Sequence, residues 1–206
     1  MGVTTQSRHR HHRDTTGGAQ GNERLTAMTG AVLLILFAVE GATILSLRRL
    51  LTLHFFVGML LLGPVVLKIA STTFRFARYY AGGAEYVRKG PPAPLLRLLG
   101  PLVIATSLAV LGTGVELAFA GRREGQWLFL HKASFVLWFA VMTVHVIAYA
   151  PRLPGLLARR QPARGRGAIA GRGTLAGSGR RWLLLAASLA GGLIVAALTV
   201  HLSARW

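Results

Sequence analysis

The stretch Leu130-His131-Lys132-Ala133-Ser134-Phe135-Val136-Leu137-Trp138-Phe139-Ala140-Val141-Met142-Thr143-Val144-His145-Val146 decides how this chain folds. It lies inside an apolar run from about Gln126 to Ala150, long enough for the ~20 residues with which a helix crosses a ~30 Å hydrocarbon core. A strand alone in lipid would leave its N–H and C=O groups unsatisfied, so the run reads as a spanning α-helix. It nevertheless carries two imidazoles, and ionisable groups at membrane depth are costly enough to be functional candidates by default.

Four further apolar runs flank it, at about Ala27–Leu47, Leu50–Thr72, Leu95–Ala120 and Trp182–Leu202. The chain of 206 residues is 52% hydrophobic and only 15% charged, which makes the lipid bilayer its solvent. The expected class is therefore all-α and polytopic: a four-helix transmembrane bundle over 27–150 and a fifth transmembrane helix with a short terminus over 182–206. Residues 1–26 are polar and read as a disordered basic tail, and 151–181 as a Gly/Arg-rich linker. The first apolar run follows a polar tail and has spanning length, so the tail is expected to stay attached rather than be cleaved as a signal. Helix 5 is expected on the outside of the four-helix core, with Ala187/Gly191 and Ser188/Gly192 giving the small-xxx-small spacing of close helix contacts.

Formal charge is +18. Such an excess normally raises nucleic acid as a partner, but these cations sit between apolar segments, where orientation and lipid contact explain them. Nucleic acid is set aside for that reason. The tail has Arg8, Arg10, Arg13 and Arg24, the 2–3 connection has Arg75, Arg78, Arg88 and Lys89, and the 4–5 connection has eight arginines; Arg48, Arg49, Arg122, Arg123 and Arg205 face the other way. The positive-inside rule then puts the amino terminus and both long connections in the cytoplasm, and the carboxyl terminus outside the cell membrane. In the 2–3 connection Phe74, Phe76, Tyr79 and Tyr80 alternate with the cations as an interfacial belt. Gly165, Gly167 and Gly171 fit neither the dinucleotide nor the P-loop spacing, and no strand precedes them. His9, His11 and His12 in the tail read as headgroup contacts before metal ligands.

The chain has no cysteine, which removes disulfides, thiolate-held iron–sulfur clusters and covalent haem together. Inside the spans the ionisable residues are Glu40, His54, Lys68, Glu116, His131 and His145, with His201 near the end. His131 and His145 are fourteen residues apart, about 3.9 turns, so both lie on one helix face roughly 21 Å apart along the axis. One iron cannot take both, but two stacked sites can. A planar macrocycle between helices needs axial imidazoles at one depth. His54, about one turn into helix 2, matches His131, about one turn into helix 4. Lys68, fourteen beyond His54, matches His145. Lysine there reads first as a side chain reaching the cytoplasmic interface and second as a ligand in its neutral form.

These residues resemble the cytochrome b superfamily of four-helix membrane haem proteins, whose helices 2 and 4 each carry histidines fourteen apart and clasp two b-type haems. His54, His131 and His145 stand at three of the four ligand positions, with Lys68 at the fourth. Gly100 and Gly114 on helix 3 keep the fourteen-residue spacing with which that superfamily lets the macrocycle approach a backbone; Gly30 and Gly41 on helix 1 do not. The resemblance covers helices 1–4 alone. It implies one haem b at His54/His131 and leaves a second at His145 open, with iron held by His54, His131 and His145, and electron transfer as membrane subunit of an oxidoreductase partner. Arg48 and Arg49 are candidates for the haem propionates, and Glu40 and Glu116 either for a proton or quinol site serving a quinone or for ion pairs with Arg48 and Arg49 at the helix ends. The competing class is a membrane scaffold or small-solute or metal-ion transporter whose histidines serve protons or packing.

Overall fold

A computed structural model of the chain describes residues 18–88, 94–121, 125–152, 154 and 178–206. Those residues form six α-helices: α1 (Gly18–Ile44), α2 (Leu47–Tyr80), α3 (Ala84–Arg88), α4 (Pro94–Ala120), α5 (Gly125–Tyr149) and α6 (Ser178–Thr199). Short 3₁₀ turns follow α5 at Ala150–Arg152 and α6 at Val200–Arg205. Five helices are long and apolar enough to cross a bilayer, and no strand occurs among the described residues. Each of the five exposes large apolar side chains: Ile35, Val66, Leu108, Ile147 and Leu198 are all more than half exposed. Such a surface is stable only in lipid, and the chain is a multi-pass helical membrane protein. Hydroxyls at membrane depth are satisfied within their own helix, as where Thr29 donates to the Leu25 carbonyl and Thr143 to Phe139.

The tail ends earlier than polarity suggests, because helix α1 begins at Gly18 rather than Ala27. Its polar first turns have partners on the far end of α2 and on α3. The Ala19 N–H donates to Glu85 at 3.1 Å, Asn22 donates to the Ser71 carbonyl at 2.9 Å, and Thr26 to the Ser71 hydroxyl at 3.0 Å. For the same reason α2 runs to Tyr80, two turns beyond Thr72, before Gly82 turns the chain at φ 73° into α3. The aromatic and basic residues expected in a connection are thus helical, with Arg78 over the Tyr86 ring at 5.9 Å. Residues 1–17, with their three histidines, and most of the Gly/Arg-rich linker lie outside the described residues.

Helices α1 and α2 pack as one antiparallel hairpin and α4 and α5 as another, and α6 lies along α2. The α2–α6 crossing is a contact of backbones. Pro64 has no N–H to give the Leu60 carbonyl four residues earlier, and that oxygen faces Gly192, where a methyl group would overlap it. A methyl at Gly63 would likewise overlap the Ser188 carbonyl. Of the two small-xxx-small pairs, Ser188/Gly192 forms the crossing and Gly191 meets nothing. The hairpins meet through Leu111 and Val115 of α4 against α2 and through Phe37 of α1 against Trp138 of α5, ring centroids 4.8 Å apart. Helices α2 and α5, which carry the histidines, do not pack on each other extensively.

Candidate functional site

The last turn of α1 and the first turns of α2 build one half of a site. His54 Nδ1 lies 2.9 Å from Glu40 Oε1 and 2.9 Å from the Thr43 hydroxyl. Thr43 donates its single proton to the Glu40 backbone carbonyl, so its oxygen can only accept from the imidazole. The carboxylate accepts as well. Nδ1 therefore carries the proton, and the Nε2 lone pair is left for another partner. Thr43 is almost fully buried, Glu40 is 16% exposed at its side chain and His54 23%, so water competes little for these bonds. Glu40 Oε2 is buried with no partner among the described residues.

The second hairpin repeats the device. On α4, Thr113 donates to the Ala109 carbonyl at 2.7 Å, and its oxygen stands 3.3 Å from His131 Nδ1 on α5. Ser134 donates to the His131 carbonyl at 3.0 Å, and its oxygen lies 3.0 Å from the Thr113 hydroxyl. Again Nδ1 is the atom set against the hydroxyl, and the ring also bonds to the Val110 backbone. The His131 ring lies against Gly114, where an added methyl would come 3.0 Å from its Cε1. His54 and His131 are close enough to interact electrostatically across the gap between α2 and α5. The structure thus brings together Glu40, Thr43, His54, Thr113, Gly114 and His131 at one level of the bundle.

The other level is built differently. Lys68 Nζ donates to the Thr26 carbonyl of α1 at 2.7 Å and stands 2.9 Å from where a Gly30 methyl would be. It is directed to the neighbouring helix rather than to the interface, in place of the snorkelling its position suggests. His145 lies within electrostatic reach of Lys68, its ring 4.7 Å from the Tyr149 ring, and its Nδ1 is buried with no partner among the described residues. Between the levels, Leu61 and Trp138 sit seven residues from both level positions of their helices; both are buried, and Trp138 Nε1 donates to Ser107 at 3.1 Å.

The remaining candidates lie apart. Glu116 is exposed in a groove of about 270 Å³ between α2 and α4, walled by Leu62, Val66, Leu108 and Val115. Arg48 and Arg49 are exposed in the first turn of α2 rather than in a connection, and pair with neither glutamate; Glu40 is taken by His54. A methyl at Gly100 would meet nothing, whereas Gly114 makes room for an imidazole. Thr43 and Thr113 are the residues that sequence reasoning missed. Their one signal is position: each is a hydroxyl in the last two turns of a helix whose hairpin partner starts with a histidine.

Among the described residues no three His, Asp or Glu side chains converge. A bare transition-metal ion takes four ligands from protein or water, mostly protein, whereas a porphyrin brings four nitrogens and asks two of the protein. Two imidazoles at one level, within electrostatic reach of each other on helices that have little mutual contact, match that second demand in number. Comparison with family models, curated proteins and solved structures returns no match to this chain.

Proposed function

We propose that the protein is a membrane b-type cytochrome, with haem b held between His54 Nε2 and His131 Nε2 and electrons carried as membrane subunit or partner of an oxidoreductase. One observation carries this reading: each of the two imidazoles sets its Nδ1 against a threonine hydroxyl whose own proton is spent on a helix carbonyl, with the Glu40 carboxylate as a second partner of His54 and the Val110 backbone as a second partner of His131. Imidazoles that ligate metals are held in this way, by an acceptor on the distal nitrogen that fixes tautomer and ring plane. Bound haem supplies one-electron chemistry that no side chain here offers. The chain contributes ligation, a dry surrounding and the Glu40 carboxylate, whose negative charge beside His54 favours the oxidised form.

The Glu116 groove supports a lipid-soluble donor or acceptor such as a quinone, since a single carboxyl in an apolar, lipid-facing wall is a hydrogen-bond partner for a ring hydroxyl. The charge asymmetry supports an outer position for the His54/His131 level, with the amino terminus inside.

The test is spectroscopic. Purified protein from haem-replete cells gives a reduced-minus-oxidised difference spectrum with a b-type α band, and His54→Ala and His131→Ala each abolish it. A colourless wild-type protein, or full bands in both variants, sinks the assignment and returns the histidines to packing or solute transport.

A further inference from the structure

We infer that the bundle holds a single haem, at the His54/His131 level, and that Lys68 turns the second level into a tie between α1 and α2. The inference rests on the proposed cytochrome reading and concerns what the chain does with its other pair of level positions. At the His54 level α1 supplies acceptors, Glu40 and Thr43, that leave the α2 residue's ligating atom free. At the Lys68 level α1 supplies the Thr26 carbonyl, which receives the terminal nitrogen itself. The Nζ atom is seated against Gly30, 2.9 Å from where a Cβ would be, and so belongs to the α1–α2 seam rather than to the gap facing α5. Asn22, Thr26 and Ser71 bond across the same seam, so withdrawing Lys68 would open a knit set of contacts.

His145 completes the contrast. Nothing among the described residues holds its Nδ1, and its ring packs on Tyr149 instead. A ligand whose distal nitrogen is unheld lacks the orienting contact that both His54 and His131 have. The packed midplane of Leu61, Phe37 and Trp138 separates this level from the haem level, so the two need not share occupancy.

The measurement is haem per chain in monodisperse detergent-solubilised protein, by haemochrome absorbance against amino-acid analysis, for wild type, His145→Ala and Lys68→Met. One haem per chain is expected in wild type and in His145→Ala, with identical α bands. Lys68→Met also keeps one haem in its folded fraction but melts at lower temperature, because the α1–α2 tie is cut. Two haems per chain, or loss of half the haem in monodisperse His145→Ala, overturns the inference while leaving the cytochrome reading intact. Absence of haem from wild type defeats the cytochrome reading itself, a distinct result.

Discussion

Glu40 Oε1 stands 2.9 Å from His54 Nδ1, linking the end of one spanning helix to the start of the next through a carboxylate–imidazole pair set in an apolar surrounding. A hydrogen bond of this kind is strong where water is excluded. It fixes which nitrogen of His54 is engaged by α1.

Glu40→Gln keeps the shape but removes the charge. The orienting acceptor is kept as a neutral amide oxygen, so affinity for the haem proposed here should fall by no more than about 10-fold. The midpoint potential should rise, because a negative charge that favours the oxidised iron is gone. Redox titration of the α band together with haem retention on dilution reads both effects. Thr43→Val should move retention in the same direction with little change in potential, since it removes an acceptor and no charge.

Gly114→Ala and Gly100→Ala form a matched pair. The added methyl at Gly114 comes 3.0 Å from His131 Cε1 and must push the ring or its helix, at a cost of about 1–3 kcal/mol for overpacking. At Gly100 it meets nothing. Low-spin electron paramagnetic resonance of the oxidised protein should therefore shift in the first variant and stay unchanged in the second.

The α2–α6 crossing should not survive a side chain at Gly63, because the obstacle there is the Ser188 backbone rather than a flexible group. The chain has no cysteine, so an introduced pair reports without background. Met59 and Ala196 are buried in one cluster. Met59→Cys with Ala196→Cys should cross-link under mild oxidation, and Gly63→Leu should abolish the link.

The orientation proposed from the charge asymmetry can be read by labelling. Arg48→Cys, exposed in the first turn of α2, should react with a membrane-impermeant maleimide in intact cells. Arg88→Cys, at the end of α3, should react only after permeabilisation. The reverse pattern would invert the topology and move the His54 level to the cytoplasmic side.

The sequence by itself determined that this chain lives in lipid and crosses it with helices, because backbone hydrogen bonding in hydrocarbon leaves no other economy for runs of ~20 apolar residues. It also singled out His54, His131, His145 and Lys68, because ionisable groups are rare enough at that depth to stand out and helical periodicity fixes their levels. Hydropathy could not locate the ends of α1 and α2: the polar turn Gly18–Thr26 is helical only because Ser71, Lys68 and Glu85 receive or give its hydrogen bonds. Nor did residue type assign the two threonines, which look like any helical hydroxyl until a histidine from the next helix comes within 3.3 Å. Tertiary structure alone decided that Glu40 pairs with His54 rather than with Arg48 or Arg49, and that Lys68 turns to α1. Those choices depend on which side chains meet across a helix pair, and spacing along one helix carries depth and face but not the identity of the neighbour.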